Sequence, residues 1–236
     1  MDSRIVIQYR FIFPHQHEER INVSIDCSNM ESSPELSGTV PDWCRLGFHQ
    51  CPNCPLDAGV CSDCPLALRL VRLIEASRNV LSYEEVSMEV STPERTVTKQ
   101  TTAQRALSSL MGLVMATSGC PHMVFLKPMA RYHLPLATEE ETIFRAVSTY
   151  LLDQYFLHKQ SMPVDLDLKG LKKIYAEIGV VNAAMAKRLR AISTEDSAIN
   201  AIVRLDILAK ALPYSVEESL EEIRYLFLHP AGDGNK

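Results

Sequence analysis

Seven cysteines occur in this chain, and proline directly follows four of them: Cys51-Pro52, Cys54-Pro55, Cys64-Pro65 and Cys120-Pro121. The chain has 13 prolines among 236 residues, and chance placement would give roughly 0.4 such pairs. Three of the pairs fall in one segment, CPNCPLDAGVCSDCPLA, which also holds Cys61. Cys51-x2-Cys54 and Cys61-x2-Cys64 are two chelating pairs. A two-residue spacer lets both sulfurs of a pair turn to one ion, and two pairs complete a closed tetrahedral zinc site, with His49 as an alternative nitrogen ligand. The proline contexts select a different foursome: Cys51, Cys54, Cys64 and Cys120, with Cys61 outside it. Proline after a ligand removes a backbone N–H that would otherwise be free to bond the thiolate. Proline beside a ligating cysteine is a feature of the bacterial ferredoxin run, although the spacing here matches no ferredoxin. The sequence therefore predicts a cysteine-held metal, zinc or an iron–sulfur cluster, drawing on Cys51, Cys54, Cys61, Cys64 and Cys120. Whether Cys61 or Cys120 is the fourth ligand stays open.

Other residues carry weaker chemistry. Cys120-Pro121-His122 places a thiol beside an imidazole, but nucleophilic catalysis also needs a third group to orient the base, and none stands in the sequence. Cys27 and Cys44, each alone, read as core packing. Glu139, Glu140 and Glu141 open a helix, where negative charge suits the macrodipole. His158 ends an apolar stripe and reads as a core or edge histidine. No Glu-x-x-His lies within 138–228, so a di-iron carboxylate bundle is ruled out. Nine scattered glycines leave no phosphate-cradling loop.

Composition sets the compartment and excludes some partners. A formal net charge of −5, with no run of lysine or arginine, argues against nucleic-acid backbone binding. The N-terminus lacks a signal-peptide pattern, and apolar stretches such as LMGLVMA are far shorter than a membrane span. The expectation is a cytoplasmic protein, a compartment in which Cys-x-x-Cys pairs serve as metal or redox sites rather than disulfides.

These groups must be positioned by an α+β architecture. Residues 4–13 alternate Ile5, Ile7, Tyr9, Phe11 and Phe13 on one face, residues 14–20 turn, and 21–26 alternate again, predicting a β-hairpin. Residues 28–41 read as a loop. Leu66, Leu70, Leu73 and Ile74 mark a helix over 66–81; Val86, Met88 and Val90, then Thr96 and Thr98, mark two strands. A helix over 102–118 carries Ala103, Ala106, Leu107, Leu110 and Val114, closes at Gly119 as a left-handed cap and stops at Pro121. The segment CPHMVFLKPMARYHLP packs between the two halves.

From residue 138 the pattern is helical. Thr138-x-x-Glu141 is a capping box for a helix with Phe144, Val147, Leu151, Tyr155 and His158 along one face. A second helix over 167–191 has Leu171, Ile174, Tyr175, Ile178, Val181, Met185 and Leu189 inward. A third carries Ala198, Ile202, Leu205, Leu208, Ala209 and Leu212. Pro213-Tyr214 breaks it, and Ser215-x-x-Glu218 caps a fourth with Val216, Leu220, Ile223 and Phe227 inward. Short connections favour antiparallel neighbours. The reading is a mixed region over 1–135 with its cysteine segment at 44–66, a helical bundle over 136–228 and a disordered tail over 229–236.

The strings FHQCPNCPLD, STPERTVTKQTTAQRALSSL, ATSGCPHMVFLKPMARYHLPLATEEETIFRA and SVEESLEEIRYLF resemble an uncharacterised bacterial family, over about residues 40–228. The resemblance implies a bacterial, cytosolic protein and a family pattern that includes Cys51, Cys54, Cys64 and Cys120; it carries no activity. The first reading is a non-enzymatic module whose metal ties the β-rich part to a bundle that meets a protein partner or a second copy, without nucleic acid or membrane. The alternatives are a redox or metal sensor built on the same centre, and an enzyme using Cys120 and His122.

Overall fold

A computed structural model describes residues 3–13, 18–34, 38–77, 80–192 and 196–227 of the chain. The predicted hairpin is present as β1 (Arg4–Ile12) and β2 (Glu18–Asp26), paired antiparallel with Tyr9 opposite Ile21. The second strand begins at Glu18, earlier than the alternation of Ile21, Val23 and Ile25 indicates, and residues 14–17 lie outside the described residues. Glu31–Ser32, read as loop, add a short edge strand β3 against β2. On the other side β4 (Glu85–Ser91) joins β1, and β5 (Thr96–Thr102) closes the five-stranded antiparallel sheet in the order β3-β2-β1-β4-β5.

One sheet face is buried. Ile7, Tyr9, Phe11, Ile21, Val23, Ile25, Val86, Met88 and Val90 each lose nearly all solvent contact. Beneath them lie α1 (Pro65–Ala76), which meets β2, and α2 (Ala103–Ala116), which meets β4 and β5. The first of these ends five residues before the predicted stop, where Ser77 caps it and its hydroxyl donates to the Ile74 carbonyl at 2.9 Å. The second carries more than one apolar side. Ala103, Ala106, Leu107, Leu110 and Val114 are buried as expected, and so are Met111, Leu113, Met115 and Ala116. A helix apolar all round must be covered all round, and α2 is sandwiched between the sheet and the C-terminal helices. Gly119 follows it at φ +79°, the left-handed turn that the sequence predicts; a Cβ there would stand 2.9 Å from Glu31 Oε2.

The chain then runs through a 3-10 helix (Pro121–Leu126) directly into α3 (Lys127–Arg131). Three long helices complete the fold: α4 (Glu139–Lys159), α5 (Lys169–Arg190) and α6 (Asp196–Ile223). The Thr138–Glu141 capping box forms in both directions. Three sequence readings need correction here. On α4 the inward residues are Ile143, Ala146, Val147, Tyr150 and Gln154; Phe144, Leu151, Tyr155 and His158 are exposed. The helix has two apolar stripes, and polar contacts select between them: the Tyr150 hydroxyl donates to Asp165 Oδ2 at 2.8 Å, and Gln154 Oε1 accepts from the Asp165 amide at 2.8 Å. Pro213 does not break α6, which runs unbroken through it. An interior proline costs about 3 kcal/mol, but Leu212 and Val216 are both fully buried, and packing on α5 and α2 holds the helix together across the lost donor. Phe227, expected inward, is exposed in a terminal 3-10 turn, and the tail over 229–236 lies outside the described residues.

A single hydrophobic core includes Tyr9 of the sheet, Leu110 of α2 and Leu171 of α5. Two polar ties fasten its parts. Arg188 of α5 is 2% exposed and donates to the main-chain carbonyls of Trp43, Arg45 (2.8 Å) and Leu46 (3.4 Å), with its guanidinium 5.7 Å from the Phe48 ring centre. Tyr9, completely buried, has its hydroxyl 3.0 Å from Ser109 Oγ and 2.5 Å from His133 Nε2.

Arg188→Met would take the donor from the Trp43 and Leu46 carbonyls and leave the Arg45 carbonyl with the Phe48 amide alone. Hydrogen bonds to charged groups are worth about 1.5–3 kcal/mol each at most, so urea unfolding should show a loss of about 3 kcal/mol or more; an unchanged midpoint would refute this role. Burial, and secondarily the nearby Arg145 charge, depresses the His133 pKa from 6.5 to about 4. The unfolded chain therefore binds more protons than the native one between these values, so stability is intact above pH 6.5 and falls as pH drops toward 4. The loss attributable to His133 reaches about 3 kcal/mol. His133→Gln should flatten the pH dependence of the unfolding free energy in that window relative to wild type.

Candidate metal centre

The segment between β3 and α1 folds back on itself. Cys64 N–H donates to the Cys44 carbonyl (2.7 Å) and Leu46 N–H to the Ser62 carbonyl (2.9 Å), a short antiparallel bridge reinforced by an Arg45–Asp63 ion pair at 3.2 Å. Within the loop so closed, Cys54 N–H donates to the Cys51 carbonyl at 3.0 Å. Cys51-Pro52-Asn53-Cys54 is therefore a β-turn with proline at its second position, where a fixed φ near −65° is already that of the turn. Two other Cys-Pro pairs have a different origin. Cys64 is the N-cap of α1 and Cys120 the N-cap of the 3-10 helix, each with its proline in the first turn. Proline at that position forfeits only an N–H that the helix would leave unpaired. Thus the Cys-Pro repetition places one sulfur at each end of a tight turn and one at each of two helix starts.

Long-range contacts bring these pieces together. His122 Nε2 donates to the Asn53 carbonyl at 2.7 Å, joining the residue two places after Cys120 to the turn between Cys51 and Cys54. Asn53 Nδ2 in turn donates to the Glu177 side chain (2.6 Å) and main chain (3.2 Å), pinning the turn to α5. The Cys51 thiol is pushed up to about 12, first by burial and then by the neighbouring Cys64, Cys120 and Cys54 thiols. Burial raises Cys120 to about 11, with the Cys64 and Cys54 thiols adding to it; the His122 and Met123 amides of the first turn pull the other way without forming a cap hydrogen bond. Cys51, Cys54, Cys64 and Cys120 thus share one electrostatic neighbourhood.

The remaining three cysteines are placed differently. Cys61 donates its thiol proton to the Asp63 carbonyl at 3.1 Å. Cys44 is fully buried, as core packing predicts, and its thiol is raised to about 12 by desolvation, with Arg188 opposing and the nearby Cys64 thiol adding to the rise, so it borders the group through Cys64. Cys27 corrects the sequence reading: it is exposed at the end of β2, its amide bonded to the Ser3 carbonyl at 2.9 Å. All seven cysteines are free thiols. Among the described residues, no group of three or more His, Cys, Asp or Glu side chains is placed to hold a metal ion. A single tetrahedral zinc at 2.3 Å from each sulfur needs sulfurs about 3.8 Å apart, so binding requires the thiols to rotate inward.

As placed, Cys120 is held as the protonated thiol, the reverse of an activated nucleophile, and the Nε2 of His122 is engaged by a main-chain carbonyl. What the sequence missed is the support around the turn: Asn53, Glu177 and Arg188 lie more than 120 residues apart in part and share no motif. Among the described residues no single helix is long and apolar enough to cross a membrane.

An α+β fold whose cysteine-bearing loop is tied to α5 and to the 3-10 helix after α2 defines the class of protein. The chain belongs to the family described as Domain of unknown function (DUF6901), whose model matches residues 7–228. No curated protein and no solved structure matches it.

Proposed function

We propose that Cys51, Cys54, Cys64 and Cys120 hold a metal centre, zinc or an iron–sulfur cluster, that clasps the sheet-bearing part of the fold to its helical part in a non-enzymatic module. The carrying observation is the His122–Asn53 hydrogen bond, which seats the Cys120 loop against the Cys51–Cys54 turn across 69 positions of sequence. Cys61, whose thiol faces the Asp63 carbonyl, is outside the ligand set. Two of the four ligands sit at helix starts, where the positive end of the dipole favours a thiolate. Because the ligands come from separate segments, metal affinity adds to folding free energy. Exposed Leu152, Tyr155 and Phe156 on α4 supply an apolar surface for a protein partner or a second copy. A redox or metal sensor would use the same ligands and differ in releasing the centre on oxidation, so the ligand set is the first thing to establish.

Protein purified without oxygen or chelators should contain either one zinc per chain or iron with acid-labile sulfide. Cys120→Ser should remove most of that metal and lower the melting temperature, and Cys61→Ser should leave both unchanged. Absence of both metals sinks the proposal. Loss on Cys61→Ser with retention on Cys120→Ser would move the centre to the local Cys51–Cys64 pairs.

A further inference from the structure

A cavity of about 360 Å³ lies away from the cysteines, between α2, α3, the start of α4, α5 and α6. Its size falls in the range of small-molecule sites, about 300–1,000 Å³, whereas well-packed interiors leave few voids larger than a water. The body of the cavity is apolar. Met115, Met123 and Met129 line it with Ile178, Leu205 and Leu208, and unbranched methionines adapt to ligands of varied shape.

Its polar groups converge with one sign. Arg105 of α2, Arg145 of α4 and Arg204 of α6 line the cavity against a single carboxylate, that of Glu139. Among the described residues, neither Arg105 nor Arg204 has an ion-pair or hydrogen-bond partner. Both are exposed, which puts them at the solvent edge of the cavity. Burial and the adjacent Arg105 charge disfavour the protonated form of Arg204, a repulsion that an anion between the two would relieve. Arg145 spends Nη2 on the Met129 (2.7 Å) and Tyr132 (3.0 Å) carbonyls, which fixes its guanidinium in place. Deeper in the wall, Asn182 is 2% exposed and its Oδ1 has no hydrogen-bond partner. Buried polar atoms are normally satisfied, so this one marks a place for a donor or a bridging water.

We infer that the cavity is a binding site for a small oxyanion-headed amphiphile, an apolar chain the size of a medium-chain acyl group with a carboxylate or phosphate at one end. The methionine-lined body takes the chain, and Arg105 and Arg204 take the head, where guanidiniums give charge-assisted and bidentate hydrogen bonds to oxyanions. The site uses no cysteine, so the inference stands or falls independently of the metal centre.

Calorimetric titration of the full chain with decanoate, decyl phosphate, decanol and acetate, each below its micelle concentration, tests this. Saturable one-site binding of decanoate or decyl phosphate is expected, whichever is tighter naming the head group. Decanol should bind at least roughly tenfold more weakly, and acetate should not bind. The Arg105→Met/Arg204→Met double variant, at two exposed positions, should lose roughly tenfold or more in anion affinity while keeping its affinity for decanol. Leu208→Trp, filling the cavity, should abolish binding of all three long-chain probes. If a variant proves unfolded by circular dichroism, the wild-type decanoate-to-decanol ratio decides alone. Equal affinity for decanol and decanoate overturns the assignment of the head; no saturable binding of any long-chain probe overturns the site.

Discussion

Arg188 is the interaction on which the arrangement of the cysteine loop depends. A guanidinium taken out of water must have its donors satisfied. Here main-chain carbonyls of Trp43, Arg45 and Leu46 do so, with the Phe48 ring beside it. No carboxylate pairs with it among the described residues. Carbonyls are available only if the chain at 43–46 keeps one conformation, so the buried charge dictates the path of the loop as much as the loop shelters the charge. The next residues along that path meet the antiparallel bridge to 62–64, and the bridge closes the loop that carries Cys51 and Cys54.

The second organising element is α2. It is buried along most of its surface, with Arg105 at its exposed edge, and separates the sheet from the C-terminal helices while belonging to the core of both. At its N-terminal half Ser109 reaches the Tyr9 hydroxyl, and past its C-terminus Gly119 turns the chain so that Cys120 starts a new 3-10 helix. That short helix has Cys120 at one end and Met123 in the wall of the apolar cavity. Thiol cluster and cavity are thus distinct in chemistry and adjacent through one rigid piece of backbone.

Much of the fold is legible in the sequence wherever one periodicity dominates. The alternation of Ile7, Tyr9 and Phe11, the Thr138–Glu141 capping box, the left-handed Gly119 and the inward stripe of α5 all follow from local rules. The failures are equally specific. Helix α4 offers two apolar stripes, and Asp165, reached through Tyr150 and Gln154, chooses the one that local hydrophobicity ranks lower. Pro213 reads as a break because propensity counts the lost donor and not the buried Leu212 and Val216 on either side. Cys27 reads as core by residue type, but it stands at a strand end beyond the covered face.

For the cysteines, sequence alone determined that sulfur and proline recur together and that Cys51, Cys54, Cys61, Cys64 and Cys120 are the residues in question. Proline's fixed φ and missing N–H act within one or two residues, so turn and helix-start geometry at each Cys-Pro is a local matter. Which cysteine-bearing segments lie side by side was decided only by tertiary structure. The His122–Asn53 hydrogen bond, the Glu177 contact and the Arg188 clamp join segments far apart in the chain, and Cys61, nearest in sequence, turns its thiol to the Asp63 carbonyl instead. Local chemistry can specify a residue's backbone but not its distant neighbours, because those contacts form only when the whole core closes.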